Sequence, residues 1–123
     1  MKYKQIIIGL LFAGLVMVLH TGHASAATIT VDSTADTVSN DSTCTLREAV
    51  AAADTDTGGG AGECAAGSGN DTIQIPAGTY TLTSDLDLGD TGITLNGANV
   101  STVIINGGGS YGMSYVGVVA CTI

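Results

Sequence analysis

The side chains of this 123-residue chain that are best suited to catalysis or metal binding are carboxylates. Asp85 and Asp87 alternate along a predicted strand edge, so they would point the same way, as Ca²⁺ ligands or as paired catalytic acids. Asp54 and Asp56 open a Gly-rich loop with the spacing that begins an EF-hand. The later ligand positions of that loop hold Gly and Ala, so solvated acidic turns explain both pairs more simply. We therefore predict no catalytic constellation, and Ca²⁺ stays an alternative at these four aspartates.

The amino terminus has the pattern of a signal peptide, which we place at residues 1–26. Two lysines precede an apolar run at 6–19, and Ala24-Ser25-Ala26 supplies a small-residue cleavage site. The apolar run is too short for a comfortable membrane span. We therefore expect an exported protein.

The charge that remains after this leader excludes several classes of function. One arginine, eleven acidic residues and no lysine or histidine remain, a formal net charge of −10. Such a chain does not bind nucleic acid or an anionic membrane through charge. It also lacks the imidazole and amine groups that often serve as general bases and nucleophiles, which leaves carboxylates and tyrosines. Tyr80, Tyr111 and Tyr115 could stack on sugar rings, although packing in a core or at an edge explains Tyr80 more simply.

The single arginine lies in the one segment with clear helical character, residues 44–53. Thr45 and Glu48 have the spacing of a capping box, in which each side chain bonds the other's backbone N–H. Arg47 follows in the first turn, where the helix dipole disfavours a cation by up to about 1 kcal/mol. We therefore expect Arg47 to pair with a carboxylate or with carbonyl groups at this cap rather than with substrate. The predicted structural cap consists of Thr45, Leu46, Arg47 and Glu48.

Two cysteines flank the Gly-rich loop, and export favours disulfide formation. Cys44 and Cys64 would close a loop across this segment, a link worth about 3 kcal/mol on the chain-entropy model. Cys121 is then left without a partner in this chain.

From residue 72 onward the chain changes to short β-rich pieces bounded by Gly, Pro, Asn or Asp. They lie at 73–75, 79–83, 86–88, 93–95, 103–105 and 116–119, after a first strand at 28–32. An offset of twenty residues superposes Ile73 and Ile75 on Ile93 and Leu95. Short strands with this period favour a solenoid of stacked β coils over a sandwich. Residues 72–123 would hold about two coils, fewer than a solenoid needs, so we interpret them as the start of a longer protein.

Two segments in this order resemble the amino-terminal region of the CSLREA-motif family of exported bacterial proteins. They are residues 44–49, Cys-Thr-Leu-Arg-Glu-Ala, where the usual Ser is Thr45, and residues 71–80, Asp-Thr-Ile-Gln-Ile-Pro-Ala-Gly-Thr-Tyr. The resemblance implies an all-β fold, a right-handed parallel β-helix of the pectate-lyase type, with a short helix covering its open end. We accordingly divide the chain into a signal peptide (1–26), an amino-terminal cap (27–71) and the first coils (72–123). The expected location is extracellular or at the bacterial surface or outer membrane.

Two functions fit these observations. The first is a non-catalytic cap and first coils of a secreted or surface-displayed β-helix protein that binds extracellular polysaccharide or a host or cell-surface ligand. The alternative is the amino-terminal part of a polysaccharide lyase or glycoside hydrolase whose active site lies beyond residue 123. Relatives that cleave pectin-like polymers use acidic residues with Ca²⁺ and a cationic side chain on later coils, and no residue here matches such a site. The structural function is therefore our leading hypothesis.

Overall fold

The computed structural model describes residues 25–59, 62–89, 92–98, 102–114 and 120–122. The predicted signal peptide up to residue 24 and the predicted strand at 116–119 lie outside these ranges. The elements, in chain order, are β1 (Thr28–Thr30), α1 (Leu46–Thr55), β2 (Thr72–Ile75), β3 (Gly78–Thr81), β4 (Leu86–Asp87), β5 (Thr94–Gly97), β6 (Val103–Asn106), β7 (Met113–Ser114) and β8 (Ala120–Thr122).

The strands form three separate sheets in which every pairing is parallel. The first sheet has the order β1-β2-β5-β8, the second pairs β3 with β6, and the third pairs β4 with β7. Parallel strands cannot be joined by a tight hairpin. From β2 onward, consecutive strands accordingly belong to different sheets, whereas β1 and β2 share a sheet and are separated in the chain by α1. Ile29, Ile73 and Leu95 stand opposite one another in the first sheet, and all three are buried.

Helix α1 begins where the sequence supplies a cap. Thr45 has an extended backbone (φ −75°, ψ 164°), and its hydroxyl accepts the Glu48 N–H while the Glu48 carboxylate accepts the Thr45 N–H. Asp56 follows the helix in the left-handed conformation (φ 52°), which lets its N–H bond the Ala52 carbonyl. The helix packs against β1 and β2, so its small apolar face covers the first two strands of the larger sheet.

One hydrophobic core is shared by the helix and the three sheets. Its apolar members from the helix segment and the disulfide are Cys44, Leu46, Ala49, Val50, Ala52, Ala53 and Cys64; those from the strands and their flanks are Ile29, Val31, Ile73, Ile75, Tyr80, Leu82, Leu86, Leu88, Ile93 and Leu95. Alanines on the inner face of α1 let the helix backbone approach the strands closely, which a larger side chain would prevent.

The predicted fold class, an all-β right-handed parallel β-helix, is wrong. The described residues form a mixed fold of one ten-residue helix and three small parallel sheets, none of them closed. The predicted offset of twenty also fails, because Ile73 pairs with Leu95 rather than with Ile93. The paired residues Leu86 and Met113 are separated by more residues along the chain than Ile73 and Leu95 are. A solenoid, by contrast, is built from a regular repeat. The interpretation of residues 72–123 as about two solenoid coils therefore fails as well. Short apolar triplets between turn residues are typical of any small parallel sheet, and they do not determine how several sheets are arranged.

Candidate functional site

Arg47 joins three parts of the chain through its guanidinium. Its Nε lies 2.8 Å from Asp36 Oδ1 and its Nη2 lies 2.9 Å from Asp36 Oδ2, a two-point fork. Nη1 donates to the Asp85 carbonyl at 3.0 Å, and Nη2 donates to the Ser84 carbonyl at 3.0 Å. Four of the five guanidinium N–H donors are thus used inside the fold. The network ties α1 to the loop before it and to the turn before β4.

Asp36 is held by more than the arginine. Its Oδ2 also accepts the Thr83 N–H at 2.7 Å and the Thr83 hydroxyl at 2.9 Å. Burial acts to raise the pKa of Asp36, but the hydrogen bonds from Arg47 and Thr83 outweigh it and hold the pKa below the usual 3.8. The sequence reasoning did not single out Asp36. The available signal was Arg47 itself, a cation in a first helical turn that required an acid within reach.

Glu48 lies beneath the start of the helix and is 1% exposed. Its Oε2 accepts the Thr45 N–H at 3.0 Å, and its Oε1 accepts the Ser39 N–H at 2.9 Å. The Thr45 hydroxyl donates to the Thr37 carbonyl at 2.8 Å. The capping box therefore extends into the preceding loop and holds that loop against the helix. Both carboxylate oxygens of Glu48 face the fold, an arrangement that suits a structural residue.

The predicted Cys44–Cys64 disulfide is present and buried, and it joins the start of α1 to the Gly-rich loop after it. A second anchor of this loop, Asp71, was not predicted. Asp71 is 1% exposed, and its carboxylate accepts the Ala27 N–H at 2.8 Å and the Ser68 N–H at 3.0 Å. It thus links the entry of β1 to the loop just before β2. The only sequence signal for this linking role was that Asp71 is the first residue of the segment 71–80.

Three of the four aspartates considered as Ca²⁺ ligands accept hydrogen bonds from other parts of the fold. Asp56 and Asp85 each accept a backbone N–H at 2.9 Å, and Asp87 accepts the Ser114 hydroxyl at 3.3 Å. The Asp54 carboxylate lies against a glycine of the segment after β4. Within the described ranges, no group of three or more His, Cys, Asp or Glu side chains is arranged to hold a metal ion. The structure therefore does not bring these residues together as one site.

The outward face of the larger sheet carries uncharged polar side chains, which we call the polar ladder. Its two rows across β1, β2 and β5 are Thr28, Thr72 and Thr94, and Thr30, Gln74 and Asn96. These residues alternate with buried ones along each strand and are exposed or half-buried. Asn96 Nδ2 donates to Gln74 Oε1 at 3.0 Å. Because neighbouring strands lie about 4.8 Å apart, the ladder offers regularly spaced hydrogen-bonding groups without charge.

The tyrosines considered for sugar stacking occupy different environments. Tyr80 is 3% exposed, and its hydroxyl donates to the Pro76 carbonyl at 2.9 Å. Burial raises the pKa of Tyr80 above its usual 10.0. Tyr111 is 45% exposed, and Tyr115 lies outside the described residues. Tyr80 is thus a core residue, and Tyr111 is the one of these three with a described exposed ring.

Comparison with known proteins identifies no similar family: no family model matches the chain, and no curated protein or solved structure is significantly similar to it. In the described part of the chain, no helix has both the length and the hydropathy of a membrane span.

Proposed function

We propose that this chain is a non-catalytic, structural amino-terminal region of an exported protein of the CSLREA-motif type. Its helical side closes one end of the sheets, and its polar ladder binds an extracellular polymer. The observation that carries the structural part of this proposal is the Arg47 network. Arg47, the one cation after the predicted leader, donates its hydrogen bonds to a carboxylate and two carbonyl groups of its own fold.

The position of Arg47 supports a role in a cap. It lies in the first turn of α1, and its partners are Asp36 in the preceding loop and two carbonyls in the turn before β4. One side chain therefore joins the helix, the loop before it and the turn before β4. A planar group with donors on several edges suits this task better than the point charge of a lysine.

Export is supported by the residues before and around the helix. Residues 1–26 have the pattern of a signal peptide. The buried Cys44–Cys64 disulfide is stable in the oxidising compartments that exported proteins reach and is rare in the reducing cytosol.

The polar ladder supports the choice of polymer. Its hydroxyl and amide groups can pair with the hydroxyl groups of a sugar chain that lies across the strands. A mature chain with a net charge of −10 repels polyanions, so a neutral polysaccharide is the better match. The ligand class that we propose is therefore a neutral extracellular polysaccharide.

The structural role is tested with Arg47→Ala and Arg47→Lys. Arg47→Ala removes four charge-assisted hydrogen bonds and should lower the free energy of unfolding by about 2–4 kcal/mol. Arg47→Lys keeps the charge but not the fork, so it should recover only part of that loss. Both variants, once folded, should bind polysaccharide as the parent does. A loss of binding at unchanged stability would show that Arg47 contacts ligand instead.

The binding role is tested by co-sedimentation with insoluble cellulose and chitin, and by a gel-shift assay with polygalacturonate. The parent should bind at least one of the neutral polymers and should not bind the polyanion. Gln74→Ala, in the middle of the ladder, should weaken binding, whereas Thr79→Ala, an exposed change in β3, should not. The absence of binding to either neutral polymer, or equal effects of the two variants, would refute this role and leave the structural one standing.

A further inference from the structure

β6, β7 and β8 are the last described strands of the three sheets. The helix packs on β1 and β2, which come first in the chain. β6 and β7 each have a single partner among the described strands, on the side of β3 and β4 respectively, and β8 ends the larger sheet at the side away from β1. We call these three last strands together the far edge.

Burial decreases sharply towards the far edge. Leu86 is 2% exposed, whereas its ladder partner Met113 is 44% exposed. Tyr80 is 3% exposed, whereas its partner Ile105 is only partly buried. Ile104, on the outer side of β6, is 52% exposed. Apolar side chains of the core thus continue into β6 and β7, where the described residues cover them only in part.

The hydrogen bonds of β6 show which backbone groups face outward. The Leu82 N–H donates to the Asn106 carbonyl at 2.8 Å, so the carbonyl of Asn106 points towards β3. In a parallel ladder, alternate residues direct both backbone groups to the same side. Val103 and Ile105 therefore direct their N–H and C=O groups away from β3. No described strand pairs with β6 on that side.

The charge distribution also sets this edge apart. No Asp, Glu, Lys or Arg occurs after Asp90, so all eleven acidic residues precede the strands of the far edge. Proteins commonly protect an exposed edge strand with a charged side chain, a proline or a bulge. Residues 102–114 contain neither a charge nor a proline. Asp85 and Asp87 bond Gly112 and Ser114 at β7, but neither β6 nor its partner β3 has a charged residue. A second copy therefore meets electrostatic repulsion from the acidic part of the surface and little along β6.

We propose that the far edge pairs with the same edge of a second copy of this chain, through β6. A two-fold axis beside Ile104 places Val103 of one copy opposite Ile105 of the other. The outward backbone groups then meet as two hydrogen-bonded antiparallel pairs, each of which exchanges two N–H···O bonds. The same contact places the exposed Ile104 side chains of the two copies opposite each other. A lack of charge and a self-complementary set of backbone groups make a second copy the occupant that fits this edge.

The test is sedimentation equilibrium of the oxidised exported protein over a range of concentrations, with two matched variants. Ile104→Lys places a charge on the far edge at an exposed side chain, so the fold should be retained. Val38→Lys adds the same charge at a side chain that is 54% exposed and lies in the loop before α1. We expect a concentration-dependent dimer, a dissociation constant at least about tenfold higher for Ile104→Lys, and little change for Val38→Lys.

Circular dichroism of each variant checks that the fold is unchanged. A second variant, Val103→Pro, removes one outward N–H without removing a bond to β3, and it should also weaken the dimer. A protein that stays monomeric at every concentration would overturn the proposal. So would a dimer that Ile104→Lys weakens no more than Val38→Lys does, because the contact would then lie elsewhere.

Discussion

Glu48→Ala is the substitution that should reveal most about how this fold is held. Glu48 accepts backbone N–H groups from Thr45 and Ser39, one at each carboxylate oxygen. Alanine retains helix propensity but leaves both donors without an acceptor. The change therefore isolates the capping function of the side chain from its effect on the helix itself.

The expected loss of stability follows from the burial of each donor. Thr45 is 0% exposed, so its N–H loses its acceptor without gaining water, at a cost of about 1–3 kcal/mol. Ser39 is half-buried and can reach solvent, so its N–H adds less than about 1 kcal/mol. Loss of a negative charge from the first turn adds a few tenths of a kcal/mol. We expect a decrease of about 2–4 kcal/mol in the free energy of unfolding, a large part of the total for a small domain.

The assay is urea unfolding of the oxidised protein, followed by far-ultraviolet circular dichroism. Asp85→Ala is the matched control, because the Asp85 carboxylate also accepts a backbone N–H, from Gly112, but at an exposed position. We expect the control to change the unfolding free energy by less than about 1 kcal/mol. If Glu48→Ala costs no more than Asp85→Ala, the burial of the Glu48 network does not stabilise this fold and the reasoning is wrong.

Three further predictions concern the disulfide, a glycine and an aspartate. Reduction of Cys44–Cys64, which closes a separation of 20 residues, should lower the unfolding free energy by about 3 kcal/mol, and peptide mapping should recover this pair; recovery of either cysteine joined elsewhere would contradict it. Gly67→Ala should cost about 1–3 kcal/mol in urea unfolding, because its Cβ would lie 2.3 Å from a carbonyl oxygen of α1. Gly112→Ala, with nothing within 4 Å of the added Cβ, should be nearly neutral, and equal effects would refute the packing explanation. The depressed pKa of Asp36 gives stability that is present above its unfolded pKa, near 3.8, and lost as the pH falls through its folded pKa; acid titration should therefore destabilise Asp36→Asn less steeply than the parent, and parallel curves would contradict this.

The local features of the site could be predicted because their partners are close in the chain. The capping box joins Thr45 to Glu48, three residues apart, and helical geometry alone brings them together. The disulfide was predicted from two cysteines that flank one glycine-rich loop in a chain that we expected to be exported. The positions of most strands were also evident, because each is a short apolar run bounded by turn residues in the sequence.

The partners of Arg47 could not be identified in the same way. The sequence required an acid or carbonyl groups near the helix start, but several acids follow and precede the helix. The carbonyls of Ser84 and Asp85 are 37 and 38 residues away from Arg47, and they meet it only because the fold brings the turn before β4 beside the start of α1. The link that Asp71 makes to β1 was missed for a similar reason, since its partner there, Ala27, is 44 residues away.

The amino-acid sequence by itself determined the short helix and its cap, the disulfide and the approximate positions of strands, because each depends on neighbours along the chain. Only the tertiary structure decided the fold class and the sheet pairing. A strand of four residues such as β2 can be paired at more than one register, and the side-chain period of two distinguishes one face from the other but not Ile93 from Leu95 as the partner of Ile73. That choice depends on how the helix, three sheets and unequal loops pack around one core, which no local pattern records.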